Sequence, residues 1–419
     1  MKNNLLSFLA KISLVIFAFL LLYYFVQGVT TKVWEVDSIG YHIPIAKLLL
    51  QGKFFNPGSY SFQPYVDLFA DIYRLYQPGA TEIILSAFVF LRIPLNLFGV
   101  VGIIFFFFVM RALAKSYDLS DNLSIIFATS LATLHTVIRW IMSQTIDVWL
   151  AAFFGLAIVL LRRPVKSYKH FLILGITLGM LFGSKYTGPA YTMFLLILFG
   201  KETFKLLDFR RLLAFLTPFS VLGLSWYIRN YVLTGDPYFP QTIPFFKGID
   251  YHILDEAVWK MFIYFRNGPI IWLHAFISEY TVWCLVVLVV PILYFLTFKN
   301  VNRIFRLGIQ KLLFLALLSF TVYLFLPSGP TPSLITSVFR YTYPAFIPCI
   351  LALFIYAKKF AKEEFLAVIA VTNMLIMPEL SYHPKILIAL VPVALAIFYP
   401  SKIKKLYQFV KKRYSHVGV

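Results

Sequence analysis

From Leu5 to Pro400 the chain is a succession of apolar runs separated, except at two long loops, by short charged or turn-rich segments, a pattern that no soluble fold accommodates. The runs fall at 5–28, 93–113, 123–138, 147–161, 171–184, 188–200, 212–230, 272–297, 312–326, 342–357, 365–378 and 386–400. A helix needs roughly 17 to 25 apolar residues to cross a hydrocarbon core, and several runs are shorter. The expectation is therefore an all-α polytopic membrane protein with about 12 transmembrane helices, within a range of about 10 to 14. Composition agrees: 60% of residues are apolar and 13% charged, where a soluble domain carries about a quarter charged. The first run has a weakly basic start (Lys2, Lys11) and no small-x-small cleavage site, so it reads as a retained signal-anchor. Cys284 and Cys349 both lie inside apolar runs and read as buried thiols.

A net charge of +20 would suggest nucleic acid in a soluble protein; in a membrane protein the placement of the cations is what informs, and no nucleic-acid partner is expected. With the N-terminus inside, 25 of the 38 Lys and Arg fall on inner segments, including Arg111, Lys115, Arg162, Arg163, Lys201, Arg210, Arg211, Lys299, Arg303, Lys358 and the C-terminal tail. Most acids go the other way. Both termini are thus predicted cytoplasmic, with the active side outward, in the cell (inner) membrane. The same rule divides the long run from Phe171 to Gly200. Basic clusters flank both of its ends, so two short crossings fit and a single one does not. Each crossing would rise about 20 Å against a core of about 30 Å, placing the turn with Lys185 and Tyr186 in a recess. A Lys there needs an anionic partner.

Two outer loops are long. The first, 29–92, holds Trp34-Glu-Val-Asp-Ser-Ile-Gly-Tyr-His42, an aromatic stretch from Phe54 to Tyr65, and Tyr76-Gln-Pro-Gly-Ala-Thr-Glu82. Its segment 79–91 is too short to cross and is predicted to lie in the interface as a helix. The second, 231–271, opens on the turn-rich Leu233 to Pro240. It continues into an amphipathic stretch from Ile253 to Phe265, which reads as a lid or surface helix. The organisation that follows is a catalytic transmembrane module over 1–230, an outer loop over 231–271, and C-terminal transmembrane helices over 272–419 with no separate soluble domain.

Carboxylates are scarce, 18 in 419 residues, which makes Glu35, Asp37 and His42 beside a span end conspicuous. Asp37 also reads as a simple N-cap, and Asp147 as a helix-start carboxylate. Arg229 and Arg340 at span ends read equally as snorkelling cations, and His42 as a polar-face residue. Taken together with Arg139 and Lys185, these residues suit a lipid-linked phosphate: cations hold the diester and a carboxylate acts on the other reactant.

In order along the chain, several pieces resemble the C-type (GT-C) membrane glycosyltransferases, in particular the group of protein O-mannosyltransferases and the lipid A aminoarabinose transferase. They are the acidic motif running into Tyr41-His-Ile-Pro-Ile-Ala-Lys-Leu-Leu-Leu-Gln-Gly52, the Tyr76–Glu82 turn, Asp147 and Gly183-Ser-Lys-Tyr-Thr-Gly188. Arg229-Asn-Tyr-Val-Leu-Thr-Gly-Asp-Pro237 and Arg340-Tyr-Thr-Tyr-Pro344 complete the set. Where family members often show Asp-Glu or Asp-x-Asp at the first motif, this chain has Glu35 before Asp37 and Ser38 after it. Gln77 stands where the aminoarabinose enzyme has a Lys.

The resemblance implies a polyprenyl-phosphate-linked sugar as donor, a glycan, lipid or peptide acceptor, and transfer at the outer face of the cell envelope. It implies Asp37 as base in a single inverting displacement, with Asp147 positioning the acceptor or a metal, His42 orienting the acceptor and Glu35 among the substrate-binding residues. Arg139, Lys185, Tyr186, Arg229, Arg340 and Tyr341 would then contact the substrates, with Lys185, Tyr186, Arg229 and Arg340 on the donor phosphate. A divalent metal is compatible with the motif and not required by it. The competing readings are an O-antigen polymerase or ligase, which concentrates Arg and His in later loops, and a lipid or polysaccharide transporter. A transporter would show repeated halves, and none is found here.

Overall fold

In the computed structural model, which describes residues 2–56, 75–239, 246, 268–325 and 339–376, every regular element among the described residues is helical. The chain begins with α1 (Lys2–Thr30), then a π-turn (Ser38–His42) running directly into α2 (Ile43–Leu50), and α3 (Glu82–Phe90). Next come α4 (Leu97–Ser116), α5 (Asp121–Ala132), the single turn α6 (His135–Ile138), α7 (Asp147–Arg162), α8 (Tyr168–Ser184) and α9 (Gly188–Phe199). A short α10 (Lys201–Phe204) leads to α11 (Phe209–Phe219), a π-turn (Ser220–Leu224) after Pro218, and α12 (Ser225–Thr234). The last described elements are α13 (Pro269–Tyr280), a 3₁₀ turn (Thr281–Leu285), α14 (Val286–Thr297), α15 (Arg303–Leu324), a 3₁₀ turn (Phe339–Thr342), α16 (Tyr343–Lys359) and α17 (Glu363–Ile376).

Each predicted apolar run falls on a helix except 386–400, which lies outside the described residues, as does the amphipathic stretch from Ile253 to Phe265. Among the described residues, six helical stretches are long and apolar enough to cross a membrane: Leu5–Thr30, Leu97–Ser116, Phe209–Thr234, Pro269–Thr297, Arg303–Leu324 and Phe339–Lys359. That is compatible with a multi-pass membrane protein. The remaining runs form shorter helices, the run at 123–138 because α5 stops at Ala132 and α6 makes only one turn. The short pair predicted around Lys185 is present, α8 having 17 residues and α9 12.

The core lies among α4, α5, α7 and α16. Of the most apolar part of the α16 stretch 83% is buried, against 22% for α1, which flanks the bundle on α5 and α17. α8 packs along α11 and its π-turn through three glycines four residues apart. A Cβ at Gly175 would stand 2.2 Å from the Phe215 carbonyl oxygen, at Gly179 3.0 Å from that of Pro218, and at Gly183 2.2 Å from that of Leu222. Backbone touches backbone along this seam, which is how apolar helices associate closely where water does not drive them together.

The two ends of the bundle differ in chemistry. At one end Ser120, Ser167, Asp208 and Asn302 cap their helices by accepting from the N–H groups of Leu123, His170, Arg211 and Phe305. In the ion pairs there, such as Arg163–Asp118 at 2.6 Å and Lys205–Glu202 at 2.9 Å, the carboxylate is more than half exposed, and such pairs contribute little to stability. At the other end each ion pair among the described residues has at least one buried partner.

Candidate active site

Four backbone segments meet at that second end: the loop after α1, the segment 133–147, the α8–α9 turn and the entrance to α16. The first is set by Glu35. Its carboxylate is buried and accepts from the N–H groups of Asp37 (3.0 Å) and Ser38 (2.6 Å) and from the Ser38 hydroxyl (2.6 Å). Glu35 therefore caps the start of the helix, and Asp37, expected as a possible cap, makes no side-chain cap hydrogen bond. The Ser38 oxygen in turn accepts from the Gln144 N–H at 2.9 Å. Gln144 donates its side-chain amide to Asn96 (3.1 Å), which donates to the Thr31 carbonyl (3.0 Å). This chain of hydrogen bonds ties the backbone carrying Asp37 to the backbone carrying Asp147.

Asp147 opens α7, where a helix start favours negative charge. One of its oxygens is bound by Lys185, and the other lies 3.1 Å from Nε of Arg340. Nη2 of Arg340 also donates to Asp37, so one guanidinium carries both carboxylates, 303 residues separating it from the first. The same nitrogen donates to the Tyr341 hydroxyl at 3.2 Å, and the guanidinium carbon lies 4.4 Å from the Trp140 ring centroid. Lys185 places its ammonium 3.7 Å from the Tyr341 ring centroid. Two carboxylates and two cations form a cluster with no net formal charge. Its accessible members are Asp37, 27% exposed, and Lys185, 20%; the side chains of Arg340 and Asp147 are about 5% exposed. Beside it the Tyr41 phenol is held well above its ordinary pKa range by burial first and the Asp37 charge second, which keeps it a neutral donor.

The other predicted residues stand apart from this cluster. His42 is buried and its Nδ1 lies 2.6 Å from Glu82, joining the first loop to α3. The α3 helix itself forms as expected, with Glu82, Leu85 and Phe88 buried and Phe90 exposed. Arg229 does not snorkel: it is fully buried among the rings of Trp226, Phe54 and Tyr76, 5.0 to 5.7 Å from their centroids. It donates to the Tyr76 carbonyl at 2.7 Å, as do Asn230 (2.8 Å) and the Tyr186 hydroxyl (3.2 Å). Arg229 and Tyr186 thus hold the Tyr76–Glu82 turn, which in turn meets the α8–α9 turn through the Ala80 N–H to Gly183 carbonyl bond (2.9 Å) and the Thr81–Ser184 hydroxyl pair (2.5 Å). Arg139 pairs with Glu279 at 2.8 Å.

Sequence reasoning passed over Ser38, Gln144, Trp140 and Glu279. For Glu279 a signal was available, a lone carboxylate inside the apolar run 272–297; for the other three, ordinary polar or aromatic residues in turns, there was none. Among the described residues no three His, Cys, Asp or Glu side chains gather in a metal-ligating group. An apolar groove of about 460 Å³ between α14, α16 and α17, lined by Val286, Leu293, Leu353 and Leu366, includes none of the cluster residues. Compared with known protein families, curated proteins and solved structures, the chain matches none.

Proposed function

We propose that the protein is a GT-C-type membrane glycosyltransferase that moves a sugar from a polyprenyl-phosphate donor to an acceptor hydroxyl at the outer face of the membrane. The observation that carries this reading is the convergence of Asp37, Asp147, Lys185 and Arg340, from four separate segments, at the end of the bundle opposite the exposed basic clusters. Sugar transfer from a phosphodiester needs one base for the acceptor and cations for the leaving phosphate, and this cluster holds both.

Asp37 is the base, because it is the more accessible carboxylate. It takes the acceptor hydroxyl proton as that oxygen bonds to the anomeric carbon, and the bond from that carbon to the phosphate oxygen breaks, its electron pair leaving with the phosphate. The anomeric configuration inverts. Lys185 and Arg340 offset the charge on the departing phosphate, while Asp147, bound to both, fixes their positions. Tyr41 and Tyr341 stand beside the cluster, Tyr341 accepting from Arg340. With a guanidinium already bridging the two carboxylates, no step is routed through a metal.

The test is turnover of the purified protein with a panel of polyprenyl-phosphate sugars, followed by release of polyprenyl phosphate. Asp37→Asn is expected to lower transfer at least about a thousandfold, in the range of removing a general base from its site, while donor binding and thermal stability persist. Full activity in that variant would remove Asp37 as base; no turnover or binding with any donor would sink the transferase reading.

A further inference from the structure

The apolar groove of about 460 Å³ between α14, α16 and α17 takes no part in the reaction just described, and its size is within the usual range for small-molecule sites. It runs along the helices. On α14 and the turn before it, the described lining extends from Val282 to Leu293, a rise of about 17 Å at about 1.5 Å per residue. On α16 it ends at Phe360 and on α17 it reaches Ile369. Half of a hydrocarbon core of about 30 Å is about 15 Å, so the groove has the depth of one leaflet.

Its two ends differ. At the inner end Trp283 is buried. At the mouth stands Lys362, the one charged side chain among the described lining residues, with Lys358 and Lys359 just before it in the last turn of α16. The ammonium of Lys359 lies 5.9 Å from the Phe305 ring centroid, and Phe305 packs on Tyr356 of the groove wall with centroids 5.3 Å apart. Tyr356 packs in turn on Phe360 at 6.0 Å, and Arg306 lies 4.4 Å from the Phe298 ring centroid. Aromatic rings interleaved with cations are what the level of lipid headgroups favours. Glu363 and Glu364 open α17 at the same end, where a helix start favours carboxylates. Lys359, Lys362 and Arg306 still outnumber them, leaving aside Lys358, which donates to the Asp118 carbonyl. A purely apolar occupant has no use for cations at the mouth, and a crossing helix, of this chain or of a second copy, needs a face about twice as deep. The match is an amphiphile with a negative head and a tail as long as one leaflet is deep.

We propose that this groove holds one acyl chain of a phospholipid with an anionic headgroup, the phosphate beside Lys362 and Lys359 and the chain running inward to Trp283. The site requires the bundle to sit in a membrane and is independent of the transferase reading. A lipid held there stabilises the packing of α14, α16 and α17 in proportion to its occupancy.

The experiment uses the full-length protein in phosphatidylcholine nanodiscs and reads the quenching of indole fluorescence by bromine. One series raises the fraction of phosphatidylglycerol brominated at mid-chain; the other raises phosphatidylcholine brominated in the same way. The signal of Trp283 is the difference between the unaltered protein and Trp283→Phe. Phosphatidylglycerol is expected to quench it at a mole fraction at least about fivefold lower than phosphatidylcholine. Lys362→Gln, at an exposed position, is expected to bring the two series close to parity, since one cation near a membrane surface contributes about that factor. Lys205→Gln, an exposed cation on α10 away from the groove, is expected to leave the preference unchanged. Should Trp283→Phe fail to fold, the thermal transition takes its place: it is expected to rise with phosphatidylglycerol in the unaltered protein and not in Lys362→Gln. Equal quenching by both lipids means ordinary contact with the surrounding bilayer and overturns the proposal. An equal loss in Lys205→Gln means diffuse attraction to a basic surface, and no quenching of Trp283 by either lipid means that another part of this chain or a second copy closes the groove; each overturns it as well. All of these results leave the transferase reading standing.

Discussion

Arg340 is the residue on which two carboxylates depend, one of them nearly buried. Replacing it with Ala leaves Asp147 with Lys185 alone and Asp37 without the guanidinium. Breaking a buried pair by deleting one member costs about 3 to 5 kcal/mol, because the remaining charge stays desolvated. Arg340→Ala is expected to destabilise by that order in denaturant or thermal unfolding, and Arg340→Lys by less, since a point charge reaches one carboxylate but not both. An unfolding transition for Arg340→Ala equal to that of the unaltered protein would mean that the guanidinium bridge carries no weight. Glu35 illustrates how far single residues were legible. The sequence showed two acids two residues apart and favoured Asp37 for chemistry, which the geometry accommodates. It did not show that Glu35 is the helix cap, because that depends on the chain turning back over its own carboxylate. Arg229 is the opposite case: its position at a helix end suggested contact with headgroups, and only the packing of three aromatic rings around it reveals a buried brace.

Among the helices, the glycine seam of α8 sets where Lys185 stands, since that residue follows the helix directly. A side chain at Gly183 meets a carbonyl of the facing backbone, which cannot rotate away. Gly183→Leu is expected to separate α8 from the Leu222 turn and to cost at least about 1 to 3 kcal/mol, the usual range for overpacking a tight contact. Transfer activity should fall further than stability, as Lys185 shifts from Asp147; thermal unfolding and turnover measured side by side check both. The spacing of Gly175, Gly179 and Gly183 is visible in the chain, but what it faces is not. The lengths of the helices were less legible than their existence. Apolar runs marked where helices form, yet the run at 272–297 hides a break at Thr281, and hydrophobicity carries no trace of it.

The two ends of the bundle differ, with side-chain caps and ion pairs of exposed carboxylates at one and ion pairs with at least one buried partner at the other. Charge sorting along the sequence gives the expectation of which end faces the cytoplasm, because membrane insertion places Lys and Arg by loop and not by tertiary contact. In a background with Cys284 and Cys349 replaced by Ala, Trp34→Cys is expected to react with an impermeant maleimide from outside intact cells. Val165→Cys should react only after the membrane is opened; both positions are exposed. Labelling in the reverse order would invert the topology and move the proposed active site to the cytoplasmic face. What the sequence did not disclose is which of the end residues meet, since Asp37, Asp147, Lys185 and Arg340 come together only through the packing of α7, α8 and α16.

The 12 residues of α9 rise about 18 Å, well short of a hydrocarbon layer of about 30 Å, and Met193 and Ile197 on that helix are exposed. In a bilayer of ordinary thickness the acyl chains beside α9 would have to shorten or splay to cover it, at an elastic cost for each ångström of mismatch. On the proposed reading, that deformation falls next to the Asp37–Asp147 cluster. For the lipid-linked donor proposed above, this would open a sideways route, its polar head sinking toward Lys185 along the depressed surface while its tail never leaves the membrane.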